Sequence, residues 1–421
     1  MAASSGDRDL RLLSPYVHPD LLSALGLLPR AVWRTAMSLP QPPATIPSPD
    51  NQAEADVDRR LSALLDRTRS RRDLHHAMLA VTTGDGTRHW SGATGAADAH
   101  GTQLQPETPF FVASITKRFI ATLVLQASER GELGLDDRIV DHLPAEVTAG
   151  LHVHKGVDHT PAITIRHLLS HTSGLPDYFD KPKSGGPSLF RQLAAGHDVG
   201  WTFDDVVRMT REEHSPHFAP QDLTSPRQRA RYSDTGFQLL IAIVERATGQ
   251  PFAALLTERV LTPLGLEHTW LPGRSQPAAP TVAPAPVCAK KQPLELPEML
   301  ESCNDLISTT GDLLAFQRAL IAGALFERPA TTALLTERSN LLRNMIPNRY
   351  GLGTWIFRVS RLAGPGRRPV TLVGHAGVTG TWLFHCPELD LHLAGTIDQS
   401  TFFARSAPFQ IMARILRAWD G

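Results

Sequence analysis

Cysteine is scarce: Cys288, Cys303 and Cys386 are the only three in 421 residues. An odd, widely spaced set with no CxxC pair makes no disulfide framework and fits reduced thiols in a cytosol, with room for at most one bridge. Surplus charge is lacking too, because 42 basic residues balance 42 acidic ones. Nothing therefore advertises nucleic acid or an anionic membrane as a partner. Long apolar runs are missing. The N-terminal apolar part, Leu21 to Leu39, is interrupted by Gly26, Pro29, Arg30 and Arg34, which excludes a leader with an unbroken core and leaves no membrane span. No Gly-rich phosphate loop lies between a strand and a helix. The expectation is a soluble cytoplasmic protein whose partner is a small molecule.

What remains is an ordinary globular composition, 42% hydrophobic and 20% charged, long enough to bury a substantial core. Residues 1–50 read as an extension. Leu21, Leu22, Leu25, Leu28 and Trp33 suit short helical pieces, and the stretch from Pro40 to Pro49 is a proline-rich linker. The main domain is expected over 51–421. Leu61, Leu64 and Leu65 give residues 52–69 a helical period. Met78 to Thr82 reads as a strand that turns back through Asp85-Gly86. Ile120, Leu123, Val124 and Ala127 predict a helix closed by Gly131. A short helix starts near Thr164, and another runs from about Thr235 to Thr248 on the stripe Phe237, Leu240, Ile241, Val244 and Ala247. Thr309 and Asp312 make a helix-capping pair. Strands are expected at Gly351–Val359, Val370–Val373, Gly380–His385 and Leu391–Ile397, with a terminal helix facing inward on Met412, Ile415, Leu416 and Trp419. One sheet is thus built from both chain ends, with helices between them. Residues 179–230 show little pattern and read as a long insertion over the site, and residues 273–297 as an irregular crossing segment.

Three short motifs carry chemistry. In Ser114-Ile115-Thr116-Lys117, a helix starting at the serine puts positions i and i+3 on one face. The apolar run Phe110 to Ala113 buries that helix start. A lysine in a partly dry pocket loses its proton more easily and can activate a serine for attack on a carbonyl. Tyr232-Ser233-Asp234 sits at a helix mouth. A phenol beside a lysine ammonium is expected to have its pKa lowered, which suits proton shuttling. In His375-Ala376-Gly377-Val378, small residues let a substrate lie against a strand, and the Val378 and Ser114 amides can pair as an oxyanion hole. The histidines offer one metal alternative, His152-Val153-His154 with His159, on what reads as a solvated loop. His75-His76 reads as surface. No metal and no cofactor are expected.

The order and spacing of these motifs, with Leu168-Leu169-Ser170-His171-Thr172-Ser173-Gly174-Leu175 between them, resemble the serine β-lactamase and D-alanyl-D-alanine carboxypeptidase superfamily, nearest its class C β-lactamase and family VIII esterase branch. Asn304 to Thr309 and Gly351-Leu352-Gly353 also resemble recurring segments of that branch. The resemblance covers roughly residues 55–420. It implies an α+β, β-lactamase/transpeptidase-like fold: an antiparallel sheet from both chain ends, flanked by helices, with a helical subdomain and lid inserted within about 135–300. It implies Ser114 as the acylated nucleophile and Lys117 and Tyr232 as proton carriers, either of which can be the base. Asp234, His375, Ala376, Gly377 and Val378 would line the substrate. Asp234 stands where many relatives have asparagine, and His375 where many have lysine. A carboxylate cannot donate to a substrate carbonyl, and a histidine carries less fixed charge, so esters, amides or thioesters are favoured over substrates with a free carboxylate. Asp234 is also expected to pair with Lys117 and keep it charged. The implied activity is ester or amide hydrolysis, with acyl transfer or peptide cyclisation as the rival enzyme class and a non-catalytic binding module as the rival outside it. Oligomeric state is not legible.

Overall fold

The computed structural model describes residues 49–420 apart from 72–73, 99 and 401–405. The expected N-terminal extension and proline-rich linker lie outside the described residues, up to Pro49. Glu54 to the C-terminus clusters as one unit.

The centre is an eight-stranded sheet. Its strands are β1 (His76–Thr83), β2 (His89–Gly95), β3 (Asn340–Leu341), β4 (Arg349–Tyr350), β5 (Trp355–Val359), β6 (Val370–Ala376), β7 (Trp382–Cys386) and β8 (Leu391–Thr396). The spatial order is β2-β1-β8-β7-β6-β5-β4-β3, and every pairing is antiparallel. The two ends of the chain meet where β1 pairs with β8, Met78 opposite Thr396. Asp85-Gly86 makes the expected turn, with Gly86 at φ 73°, a conformation that glycine adopts without cost.

The five longest helices among the described residues are α1 (Pro49–Arg69), α2 (Thr116–Glu129), α3 (Asp234–Thr248), α4 (Thr310–Ile321) and α5 (Ala407–Asp420). Sequence periodicity predicts α2 as one apolar stripe. In the structure it is buried nearly all round, including Lys117, Arg118 and Gln126. It is a central helix, not a surface one. The fully buried Arg118 donates to Thr354 Oγ1 at 2.6 Å and to Gln317 Oε1 at 3.1 Å. Burial lowers its pKa to about 10. Helix α3 ends, as expected, at Gly249 in the left-handed region, φ 70°.

The insertion differs from its sequence pattern. Residues 179–230 carry short helical segments at Leu189–Ala194, Phe203–Arg208 and Met209–Glu213. Their Leu189, Leu193, Trp201 and Val206 form a second apolar cluster with Phe111 and Ala113. Each segment is too short to show a clear helical period alone, and its apolar partners lie far along the chain. Thr309 caps α4 by accepting from the Asp312 amide at 3.1 Å. The Asp312 carboxylate does not complete a reciprocal pair; it accepts from the His268 amide and Thr269 Oγ1 instead. No single helix among the described residues is long and apolar enough to cross a membrane.

Candidate active site

The chain enters α2 through a tight turn. Ala113 sits at φ 50°, an uncommon conformation for a residue with a Cβ. Thr116 Oγ1 donates to Ala113 O at 2.8 Å and accepts from the Leu306 amide at 2.9 Å. The turn leaves Ser114 about 9% exposed, at the head of the helix. One helical turn on, Lys117 Nζ donates to Ser114 Oγ at 3.0 Å. The same ammonium pairs with the Asp234 carboxylate at the start of α3. It also lies 5.3 Å from the centre of the Tyr232 ring. The Tyr232 phenol lies beside Ser114, which favours its ionised form. The hydroxyl and amine, three residues apart, therefore meet a phenol more than a hundred positions along the chain.

The loop that delivers Tyr232 is held by the segment singled out at 168–175. His171, at φ 57°, accepts from the Arg231 amide through its carbonyl at 2.9 Å and from the Ser233 amide through Nδ1 at 3.3 Å. Its ring contacts those of Tyr232 and Tyr350. Ser233 Oγ donates to Pro176 O at 2.8 Å. His171 is thus a positioning residue that spacing alone did not mark.

Charges around the nucleophile are lopsided. Besides Asp234, the field of Asp305 acts on Lys117, and the buried Asp177 accepts from the Asp234 amide at 3.1 Å. Burial raises Asp305 to about 6, with Lys117 pulling the other way. Burial and the neighbouring Asp234 hold Asp177 well above the usual carboxylate range. Burial alone would depress Lys117, but the Asp234 and Asp305 carboxylates raise it to about 12. The ammonium is therefore charged at neutral pH, as expected from Asp234. The expectation for Tyr232 is overturned. Burial, reinforced by Asp234, lifts the phenol well above its ordinary value, because desolvation outweighs the attraction of an ammonium already neutralised by acids.

The fourth segment meets the nucleophile from the sheet. His375 is fully buried. Its Nε2 bonds Tyr350 Oη at 3.0 Å and its Nδ1 the Ala376 carbonyl at 2.8 Å, and its ring stacks on Trp355. Burial and Lys117 push its pKa well below the ordinary value. It is a neutral brace under the site, and its ring nitrogens are not free to receive a substrate carboxylate. Gly377 also differs from its expected use. A Cβ there would meet Thr381 Oγ1 at 2.1 Å and Val112 O at 2.8 Å. The glycine lets the sheet approach the nucleophile turn, and Ala376 beside it is likewise buried. Gly377 N donates to Thr381 O at 2.9 Å, and the next residue, Val378, is exposed.

Family comparison agrees with this geometry: the profile described as Beta-lactamase matches residues 61–411. The chain belongs to the beta-lactamase family. Among curated relatives it is 31% identical over 166 residues to penicillin-binding protein 4* of Bacillus subtilis, covering 39% of this chain and 31% of the relative. It is 33% identical over 214 residues to esterase EstB of Burkholderia gladioli, covering 50% and 51%. The match thus spans about a third to a half of the length of these relatives. Among solved structures, a D-stereospecific amidohydrolase from Streptomyces sp. superposes with TM-score 0.62 at 26% identity, covering 82% of this chain and 94% of that one. The D-amino acid amidase from Ochrobactrum anthropi SV3 superposes with TM-score 0.68 at 21% identity, covering 86% and 98%. These likenesses agree with the α+β, β-lactamase-like architecture.

The histidine-rich loop at 152–159 differs from expectation. It forms a short hairpin, Val153–His154 with Val157–Asp158. His152 is buried, its Nε2 bonded to Phe218 O at 3.0 Å, and His154 Nδ1 bonds Pro216 O at 3.1 Å. These rings brace the insertion. Of the pair His75-His76, expected at the surface, His76 is fully buried and His75 half-buried.

Proposed function

We propose that this chain is a serine acyl-hydrolase that forms an acyl-enzyme on Ser114 and cleaves a small ester or amide. The observation that carries this is the Ser114 hydroxyl accepting from Lys117 Nζ at 3.0 Å with the Tyr232 phenol beside it. The names of two relatives, an esterase and a D-stereospecific amidohydrolase, support the reaction class.

The charges favour a relay without a preformed base. Lys117 is an ammonium and Tyr232 a neutral phenol at rest. In one concerted step the phenol gives its proton to the leaving alkoxide or amine as that group's bond to the acyl carbon breaks, and takes the Ser114 proton as Oγ bonds to that carbon, so the phenol ends neutral. Lys117 stabilises the phenolate character that develops as donation runs ahead of uptake. The Ser114 and Val378 amides receive the oxyanion. Water then attacks the acyl-enzyme, and the same relay runs in reverse. His375 is neutral and bonded, and Lys117 is committed to Asp234, so neither of these two groups offers a free cation for a substrate carboxylate. The substrate is therefore an ester, amide or thioester lacking one near the scissile bond. A panel of p-nitrophenyl esters, D-amino-acid amides, a thioester and a cephalosporin, run side by side, tests this. Turnover of uncharged or amine-bearing substrates should exceed that of carboxylate-bearing ones, and the reverse ranking would overturn the substrate assignment.

A further inference from the structure

Far from the motifs that frame Ser114, three metal-binding side chains meet at the beginning of β1. One ligand atom from each of His75, His76 and Cys288 lies within 4.8 Å of the other two. The two imidazoles face each other, Nδ1 to Nδ1 at 3.0 Å, with their rings nearly perpendicular. His76 and Cys288 are fully buried, and Cys288 is a free thiol. The other nitrogen of His76, Nε2, bonds the buried Asp398 Oδ2 at 2.8 Å. Asp398 is itself fixed, accepting from Thr396 Oγ1 at 2.8 Å through its second oxygen. A carboxylate on the far nitrogen of an imidazole sets its tautomer and aims the near nitrogen, the arrangement seen behind metal-bound histidines.

We propose that His75 Nδ1, His76 Nδ1 and Cys288 Sγ bind one zinc-like divalent cation, with Asp398 orienting His76 and water completing the tetrahedron. Two imidazoles and a thiolate suit a borderline-soft ion such as Zn²⁺ and do not suit Mg²⁺ or Ca²⁺, which take oxygen ligands. On binding, the thiol releases its proton to solvent and the sulfur forms the metal bond. There is no redox change.

The site ties together three stretches of chain. His76 opens β1. Cys288 lies on the short pair Cys288–Ala289 with Gln292–Pro293. Asp398 follows β8, and its carbonyl accepts from the Cys288 amide at 2.7 Å. The next residue, Gln399, donates its amide to Thr379 O at 2.6 Å, and Ile397 donates to Gly380 O at 3.2 Å. The cluster therefore anchors the segment that supports the 377–381 turn, which carries the Val378 amide. The metal's role is structural, and the Ser114 reaction does not pass through it.

The test uses the full chain, stripped with a chelator and then titrated with Zn²⁺ or Co²⁺. Wild type and Ser114→Ala should each bind one equivalent by elemental analysis. The Co²⁺ form should show a cysteinate-to-cobalt charge-transfer band in the near ultraviolet, and Zn²⁺ should raise the thermal midpoint. Cys288→Ala should lose the band, and His75→Ala should weaken binding at least about tenfold, roughly 1.4 kcal/mol. Circular dichroism checks that each variant is folded. If Cys288→Ala does not fold, His75→Ala, at a half-buried position, decides alone. Failure of the wild type to bind a stoichiometric ion, or unchanged binding in a folded His75→Ala, would overturn the proposal and leave the facing imidazoles as an ordinary N–H···N pair. Because Ser114→Ala is a control for metal binding, this outcome is independent of the hydrolase assignment.

Discussion

The pocket around Ser114 and the cluster around Cys288 both bury polar side chains, and they handle charge in opposite ways. Around Ser114, the Lys117 ammonium faces the carboxylates Asp234 and Asp305, with Asp177 behind them. None of these acids is bonded to the serine; burial, with Asp234 adding to it, raises Asp177, Tyr232 and Asp305, and burial raises Asp398 in the other region as well. Around Cys288, a single carboxylate, Asp398, uses one oxygen for one imidazole and the other for one hydroxyl. A region that stores unbalanced charge beside a nucleophile is built for proton movement. A region whose carboxylate is fully committed is built to hold still.

The sharpest way to break this contrast is to remove the nucleophile. Ser114→Ala should abolish turnover of a short-chain p-nitrophenyl ester while the fold persists; activity at the wild-type level would show that the charge imbalance serves another purpose. Tyr232→Phe and Lys117→Ala should each lower kcat/KM by at least about a hundredfold, the usual scale for a proton-transfer group. Losses under tenfold would mean that another group moves the proton. Lys117→Arg refines this. If Lys117 acts as fixed charge, arginine should retain measurably more activity than alanine; if it acts as a base, the two should be equally inactive. Gly377→Ala forces a Cβ against Thr381 and Val112 O. It should cost about 1–3 kcal/mol in chemical denaturation through overpacking and lower kcat without altering the nucleophile. The smallest effect concerns pH. Asp305 ionises near 6 in the folded state, above its unfolded value. Its stabilising contribution is therefore full below the unfolded pKa and lost as pH rises through about 6. Asp305→Asn should flatten the stability profile between about pH 4 and 6 and remove any inflection in kcat/KM near 6. An unchanged profile would remove Asp305 from the field around Lys117.

Local signals were readable where the physics is local. The i,i+3 relation of Ser114 and Lys117, the Asp85-Gly86 turn and the stop at Gly249 each depend on a few adjacent residues, and each appears as expected. The strand-rich C-terminal region was legible from its apolar runs, although β5 begins at Trp355 rather than Gly351. Convergence was not legible. Asp177 and Asp305 reach the site from loops whose positions depend on the tertiary fold. His375 lies in the motif that was singled out, but which way its ring faces depends on the pairing of β6 with its neighbours, and a one-position change in parity reverses that direction. Tyr232 was expected to be acidified by Lys117, because sequence shows the cation but not the burial that outweighs it. His76 looked exposed for the same reason: the side chains it meets, Asp398 and Cys288, lie more than two hundred residues away.

The most direct test is intact-mass analysis after exposure to a fluorophosphonate. The wild-type chain should gain one covalent adduct, mapped to the peptide containing Ser114, and Ser114→Ala none. An adduct of equal yield on Ser114→Ala, or no adduct on a wild type that hydrolyses esters, would contradict the assignment of Ser114 as nucleophile.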